Sequence, residues 1–595
     1  MIQFWMSISP ADAAAPAPGS PLAPVPECRV FERLLAGRRV RVFLGPAARA
    51  DACIADGPQA TTIRLGKTHC APARPGILDD DDPTLLIDTV SAKARIFVPY
   101  SSTTQLFVAR QGDALRLATD PRLLVVPGYS IDPQAILCLL TFGALTAPYA
   151  LWREIRRLEP GVWTEIDLAS LALRHERVDL WGPPRAQEGA LAARAQEGIV
   201  RERLDRVLRR LAPDERPVVL FSGGVDSGLL AARAVALGWR ETLLINYSMG
   251  PQDREAALAA SMARALGLPF LAIEDDAAAW AAPIAGLARN YPQPVGDYSL
   301  IPTGRLCDAV LERSGGRGSI WDGSGADGVF GAFPKLARWR RLYALPAALR
   351  AFGAAAYRAG GLWRNDTSLS RRLAAARITR QMPFLLASMI AEHPLRGIAY
   401  DAGEADVRAL HATIAEAIAA ATAELAVPEA ASRALDLRHI VCDFTAQKDA
   451  PRFLGCEPDI AYPFLDPELV RLGMRAAWAW PEQAVSKAVL KRLLAQAVPA
   501  EMVYRPKSGF MPPIAQAFRV EPLRGALAAA IAPDSPLAPY LRREVLLAMA
   551  GCAVRGTLPH RVYNFLWTVV CVAHWMMQFE SAQAGRPLTA NPPRR

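Results

Sequence analysis

Six residues, Ser222-Gly223-Gly224-Val225-Asp226-Ser227, stand directly after an apolar run, Pro217 to Phe221, and directly before a helical pattern. Two adjacent glycines let the backbone curl close to a phosphate, whose oxygens then meet successive N–H groups and a helix N-terminus. The serine hydroxyls add donors, and Asp226 offers a carboxylate to a Mg²⁺ ion bridging phosphates. No Gly-Lys-Ser/Thr follows, so this is not a Walker A loop; its chemistry suits pyrophosphate. A second loop, Trp321-Asp322-Gly323-Ser324-Gly325-Ala326-Asp327-Gly328-Val329-Phe330-Gly331, also closes an apolar run, Ser319 to Trp321. Either loop alone is compatible with a plain turn. In an open parallel sheet, ligands sit beyond the carboxyl ends of strands, so the two loops can converge, with Asp327 as the second carboxylate on Mg²⁺.

The elements that must hold these loops alternate strand and helix. Pro217 to Phe221, Gly228 to Leu237, Thr242 to Tyr247, helix 254–266, strand 270–273 and strand 318–321 predict a parallel sheet with helices on both faces. From Phe333 to about Ala434 the sequence is Ala/Arg-rich helix, broken at Gly360 to Asp366, and helices continue to Phe579. Before the sheet, Arg29 to about Val178 reads as a β-rich region. Its predicted strands include Val40 to Leu44, Thr84 to Thr89, Arg95 to Val98, Gln105 to Val108, Leu123 to Val126 and Gly161 to Asp167, with a helix at Ala135 to Thr141. At 595 residues the chain exceeds what one core supports. The expected division is a flexible Ala/Pro arm over 1–28, a β-rich domain over 29–185, an α/β domain with large helical insertions over 186–584, and a loose tail over 585–595.

The formal charge of +10 comes from Arg-rich helical stretches such as Arg201 to Arg210, not from a basic block interleaved with aromatics, so no nucleic acid partner is expected. The nine cysteines are scattered, with no C-x-x-C pair, and read as reduced thiols. The segment Met1 to Ser9 lacks a basic leader. Phe565 to Phe579, the most apolar stretch, is shorter than the roughly 20 residues a membrane span needs, and a buried helix is expected there. A cytoplasmic protein without a membrane partner follows as the expectation.

The paired loops resemble the pyrophosphate loop and the G-x-G-x-D loop of the asparagine synthetase family, in the PP-loop ATP-pyrophosphatase superfamily. Three further segments are similar to that family: Tyr462-Pro463-Phe464-Leu465-Asp466-Pro467-Glu468-Leu469-Val470 to E-x-R-x-P-F-L-D-x-x-L-V, Ser486-Lys487-Ala488-Val489-Leu490-Lys491 to K-x-x-L-R, and Tyr504-Arg505-Pro506-Lys507-Ser508-Gly509-Phe510 to R-x-K-x-G-F. Leu140-Thr141-Phe142-Gly143 and Arg156-Arg157-Leu158-Glu159-Pro160-Gly161 extend the likeness over about 29 to 580. The resemblance implies a glutaminase-like (Ntn-type) sandwich followed by an ATP-pyrophosphatase domain. It also implies a reaction in which a carboxylate attacks the α-phosphate of ATP, pyrophosphate leaves, and an amine displaces AMP. ATP and Mg²⁺ are the implied cofactors. Lys507 matches the lysine facing the phosphates, with Lys487 a second candidate. Leu220, Ser222, Gly223, Gly224, Asp226, Ser227, Asn246, Gly323, Ser324 and Gly325 are the implied nucleotide contacts, and Asp226 and Asp327 the implied metal ligands.

Departures from the pattern point to the acceptor. Glutamine-dependent members use an N-terminal Cys nucleophile; here Ile2 follows Met1, and an inactive glutaminase-shaped shell is expected. The position between the loop glycines is acidic in asparagine synthetases, where it meets ammonia, and Tyr in β-lactam synthetases; here it is Ser324. Asp459 and Ala461 stand for the Glu and Arg of E-x-R-x-P, and Gly328 replaces the usual Glu, leaving room for a bulkier substrate. The combination is similar to the lasso-peptide macrolactam cyclases, which join an Asp or Glu side chain of a precursor peptide to its N-terminal amine, in pathways that include a leader peptidase. The alternatives are an amidotransferase making asparagine, a β-lactam synthetase-like ligase, and a degenerate peptide-binding scaffold.

Overall fold

The computed structural model describes residues 3–12, 28–45, 54–57, 59–65, 82–181, 193–212, 216–248, 253–274, 282–313, 318–330, 344–364, 367–375, 395–423, 425, 430–456, 458–475, 487–505 and 514–585. These form a mixed α/β molecule with two antiparallel sheets followed by a parallel one.

The first antiparallel sheet contains β1 (Gln3–Pro10), β2 (Cys28–Leu35), β3 (Arg38–Gly45), and, beyond the second sheet's strands, β8 (Phe107–Gln111), β9 (Ala114–Ala118) and β10 (Ile155–Arg157), in the order β10-β8-β9-β1-β3-β2. The second contains β4 (Ile54–Asp56), β5 (Ala60–Arg64), β6 (Thr84–Asp88), β7 (Lys93–Val98), β11 (Val162–Asp167) and β12 (Leu173–Arg177), in the order β12-β11-β7-β6-β5-β4. Alternating apolar residues of both sheets, among them Met6, Val42, Leu117, Ile87 and Ile96, are buried in one shared core.

Two expectations need correction. Gln3–Pro10, expected within an arm, is an interior strand paired with β3 and β9 and buried over seven of its eight residues. Its apolar Phe4, Met6 and Ile8 face the shared core, which a period of two produces and a Pro/Ala arm does not. The Ala/Pro tract itself, 13–27, lies outside the described residues. Leu123 to Val126, expected as strand, instead begins inside a 3₁₀ turn, Pro121–Leu124, that Asp120 caps by accepting from the Arg122 N–H. Proline at the first position fixes φ for that turn and supplies no ladder donor.

The parallel sheet comprises β13 (Val218–Leu220), β14 (Leu243–Ser248), β15 (Phe270–Glu274), β16 (Ser319–Trp321) and β17 (Asp459–Ala461), in the order β15-β14-β13-β16-β17. β13, β16 and β17 are buried throughout, as strands covered on both faces must be. The chain builds outward from β13 to β15, then returns to the other side of β13 for β16. β13 and β16 are paired, but the connections on either side of them run in opposite directions, which opens a crevice beyond their carboxyl ends. The expected apolar C-terminal helix is present as His560–Gln583 and is almost wholly buried. Its Trp575 and Phe579 stack on each other and meet Trp152, while Trp567 Nε1 donates to the Asp297 carbonyl at 2.7 Å. Among the described residues, no helix is long and apolar enough to cross a membrane.

A buried charge cluster ties the antiparallel sheets to the helical part. Arg157, from β10, and Arg438, in the π-helical turn Asp436–Cys442, both donate to Asp443 Oδ1, at 2.6 and 2.5 Å. Thr146 donates to Asp443 Oδ2 at 2.9 Å, and Arg438 also donates to the carbonyls of Tyr100 and Ser102. Burial alone would raise the Asp443 carboxyl, but Arg157, Arg438 and His439 hold it well below the usual carboxylate range. Burial is also the largest influence on His439, pushing it down to about 4 against the pull of Asp443, so the ring is neutral at pH 7.

Asp443→Ala strands two buried guanidinium groups and should cost roughly 3–5 kcal/mol, read as a lowered midpoint in urea unfolding. Both depressed groups stabilise the fold above their unfolded pKa values and lose that contribution on acidification. His439 weakens the fold from about pH 6.5 toward 4, and Asp443 continues the loss below about pH 4. His439→Gln should flatten the first part of the stability–pH curve, a slope amounting to roughly 3 kcal/mol in the native chain.

Candidate active site

The loop after β13 enters helix Val225–Ala236 through Gly224, its N-cap. Gly223 has φ +67, and a Cβ there would lie 2.7 Å from the Ala259 Cα, so both conformation and packing exclude a side chain. The Ser227 hydroxyl accepts from the Ser222 N–H, and the Ser222 hydroxyl accepts from the Gly224 N–H, each at 3.2 Å. Arg505 Nη2 donates to the Gly223 carbonyl at 2.8 Å, fastening the start of the R-x-K-x-G-F segment to this loop.

The second loop comes equally close. A Cβ on Gly323 would stand 3.0 Å from both the Asp226 Cβ and the Ser227 N, so the loops touch where only glycine fits. Gly325, at φ +104, faces Leu465 of the Pro-Phe-Leu-Asp segment, with a Cβ there 2.5 Å from Leu465 Cδ2. The Asp322 side chain accepts from the Ser324 N–H at 2.5 Å and holds the turn.

Between the loops lies Lys487. Its Nζ is 2.8 and 2.7 Å from the two oxygens of Asp226 and 3.2 Å from Asp327 Oδ1. Only 6% of its side chain is exposed, against 26% for Asp226 and 41% for Asp327. Burial works against its charge, but the two carboxylates outweigh that and hold its pKa above the ordinary lysine value. Lys487 also occupies the left-handed region, φ +58, at the N-cap of helix Ala488–Leu494.

The loops border a cleft of about 330 Å³ at the carboxyl ends of β13 and β16, and Lys487 reaches it through Asp226 and Asp327. Leu220, Ser222, Asp226, Ser227, Asn246, Gly323, Ser324, Gly325 and Asp327 line it, bringing most of the expected residues together. Gly223 and Gly224 shape the first loop. Asn246 donates to the Phe221 carbonyl at 2.7 Å, and its Oδ1 is buried without a partner. Lys507 lies outside the described residues. Gly328 leaves no room for a substrate: a Cβ there would stand 3.1 Å from the backbone of Leu437, so its missing side chain is space already filled by the π-helical turn.

Lys448, Asp449 and Asp322 also line the cleft, and sequence reasoning passed over them. The first two sit in a run of short 3₁₀ turns, Thr445–Lys448 and Ala450–Phe453, with no glycine or periodic pattern to mark them. Asp449 is 2% exposed and accepts from Tyr462 Oη at 2.7 Å. Lys448 Nζ donates to Ser299 Oγ at 2.8 Å and to Asp297 Oδ2 at 3.2 Å.

This geometry offers a Gly-lined anion cradle with two carboxylates converging on one point beside it. Hard oxygen donors of that kind fit Mg²⁺, which commonly takes one or two carboxylates and completes its shell with phosphates and water. Among the described residues no group of three or more His, Cys, Asp or Glu is placed to hold a metal ion.

The asparagine synthase family model matches residues 200–578, which include both loops, the cleft and Lys487. The chain belongs to the asparagine synthase family. It is similar to putative asparagine synthetases [glutamine-hydrolyzing] of Mycobacterium bovis and Mycobacterium tuberculosis, at 25% identity over 431 residues. That match covers 69% of this chain and 63% of each relative, so the chain matches less than two thirds of their length.

Because φ +58 is a conformation glycine adopts freely, Lys487→Gly removes the ammonium without straining the backbone. On the adenylating reading, ATP–pyrophosphate exchange should fall by about 10²-fold or more. Gly323→Ala should lower the same rate up to about 10²-fold by forcing the loops apart.

Proposed function

We propose that the chain is an ATP-dependent ligase that activates a carboxylate as an acyl adenylate and passes the acyl group to an amine. The observation that carries this reading is the convergence of Asp226, Asp327 and Lys487 on one point between two Gly-rich loops. A substrate carboxylate oxygen attacks the α-phosphorus of ATP, and the bond to the departing pyrophosphate breaks. The backbone of Gly223 and Gly224, with the Ser222 and Ser227 hydroxyls, cradles that pyrophosphate. Asp226 and Asp327 would hold Mg²⁺, which supplies positive charge at the leaving phosphates. Lys487, kept charged by its two neighbours, adds a fixed ammonium where negative charge develops. Leu220 and Asn246 line the same cleft and are assigned to the nucleoside. Lys507 is assigned to the phosphates on its motif alone.

The amine is proposed to be the N-terminus of a precursor peptide, making the chain a macrolactam cyclase working with a leader peptidase. Ser324, where asparagine synthetases carry an acid, supports a nucleophile other than free ammonia. On this reading the antiparallel sheets are a glutaminase-shaped shell. A second reading, aspartate joined to ammonia, draws support from the names of the mycobacterial relatives.

With ATP, Mg²⁺ and a peptide bearing an Asp or Glu several residues from a free N-terminus, the products should be AMP, pyrophosphate and a peptide lighter by one water. Mass spectrometry and nucleotide chromatography read both. Asp226→Ala and Asp327→Ala should each abolish AMP formation with the fold intact. Release of ADP and phosphate sinks the ligase reading; efficient asparagine formation without any peptide cyclisation replaces the peptide by ammonia.

A further inference from the structure

The helical insertion leaves an apolar face in solvent. Helix Ala347–Ala359 turns Gly353 and Tyr357 inward; both are buried, and the Tyr357 hydroxyl accepts from Arg561 Nε of the C-terminal helix at 3.2 Å. At 100° per residue the opposite stripe is Ala348, Leu349, Phe352, Ala355 and Ala359, and all five are exposed. Leu349 is 58% exposed and Phe352 73%, with Leu345 just before the helix at 45%. Helix Ser368–Ala375 packs beside it and adds Leu369, also 58% exposed. Of the eleven large apolar side chains exposed among the described residues, these four lie between positions 345 and 369, which is a patch and not the usual scatter of single surface apolars.

The same insertion holds the chain's excess charge. Residues 328–391 contain ten Arg and one Lys against a single acid, Asp366, a net +10 that equals the formal charge of the entire chain. The positive charge, expected to be shared among helical stretches along the chain, is therefore concentrated in the stretch of sequence that carries this face. Arg350 and Arg358 lie off the apolar stripe of their helix, and Arg371 and Arg372 follow Leu369. An apolar ridge with cations beside it is the pattern of a helix lying in the headgroup layer of a membrane. RNA would meet the arginines and leave Leu349 and Phe352 in water. A second copy of the chain would set like charge against like charge. A peptide groove needs walls, and Phe352 at its exposure stands clear of its neighbours.

We propose that helices Ala347–Ala359 and Ser368–Ala375 dock on an anionic lipid surface, with Leu345, Leu349, Phe352 and Leu369 entering the boundary between headgroups and acyl chains and the flanking arginines meeting lipid phosphates. The occupant is a bilayer with net negative headgroups, in place of the expected absence of a membrane partner. The contact is peripheral. Helix Ala347–Ala359 has 13 residues and is about 20 Å long, short of the roughly 30 Å of a bilayer's hydrocarbon core, and no described helix is long and apolar enough to cross. Charge draws the chain to the surface and apolar burial holds it there, so the two features act together. The inference stands apart from the ligase reading: no residue of either helix lines the cleft, and lipid binding needs no nucleotide.

The test floats the full chain with vesicles of equal parts phosphatidylglycerol and phosphatidylcholine, and with vesicles of phosphatidylcholine alone, in the absence of nucleotide. The native chain should partition to the anionic vesicles about 10²-fold more strongly than to the neutral ones, and high salt should remove most of that difference. Leu349→Asp combined with Phe352→Asp should lower binding to the anionic vesicles about 10²-fold or more, with the thermal midpoint unmoved because both side chains are already exposed. Should the double variant not fold, the milder Phe352→Ser decides, with an expected loss of about 10-fold. No partition of the native chain, equal partition to both kinds of vesicle, or native-like binding by the folded variants overturns the inference. So does a lipid-free dimer, seen by light scattering and abolished by the same substitutions, in a chain that ignores both vesicles; the face would then belong to a contact between copies.

Discussion

The close approach of the two loops that leave the neighbouring strands β13 and β16 is the constraint on which the site depends. Strand order alone opens the crevice, because the chain runs outward from β13 in one direction before returning to lay β16 on its other side. Bringing the loops into contact takes more. At Gly323 the space for a Cβ is bounded by the Asp226 side chain and the Ser227 backbone, and at Gly223 by the Ala259 backbone. A side chain at Gly223 is excluded, and one at Gly323 would press on Asp226 itself. Backbone geometry therefore sets the charge geometry.

That charge geometry is balanced in segments. Lys487 neutralises Asp226 and Asp327, and Lys448 is drawn aside by Ser299 and by Asp297, whose carbonyl accepts from Trp567 of the apolar C-terminal helix. Asp322 and Asp449 line the same cleft, held instead by hydrogen bonds from the Ser324 N–H and from Tyr462.

Much of this was legible in the sequence where local chemistry is punctuated by glycine. Val218–Leu220, the Ser222–Ser227 loop, helix Val225–Ala236 and β14 follow one another as the apolar runs and the Gly-Gly pair predict. Legibility failed where tertiary context decides. The pairing of Lys487 with Asp226 joins residues 261 positions apart, and no spacing rule announces it; only the family motif singled out that lysine. Asp449 reads as an ordinary turn acid until Tyr462 and Asp322 are seen around it. Gly328 misled for a related reason. A missing side chain looks like vacant space in a sequence, whereas here the π-helical turn at Leu437 fills it.

The same π-helical turn explains why the antiparallel sheets matter to the site although, among the described residues, none of theirs lines the cleft. Leu437 packs on Gly328 in the second loop; Arg438 and Asp443 bind Arg157, Thr146 and the carbonyls of Tyr100 and Ser102; Lys448 and Asp449 follow within one further turn and a half of chain. Gln447 repeats the pattern, donating to the Thr103 carbonyl on one side and the Cys442 carbonyl on the other. An extra residue per turn in a helix is poorly packed on its own, and it persists where surrounding contacts over-determine it. Here those contacts come from the strands and loops of the antiparallel sheets. They therefore act as a brace for the turn whose Ile440 and Val441 line the cleft, through buried ion pairs and carbonyls.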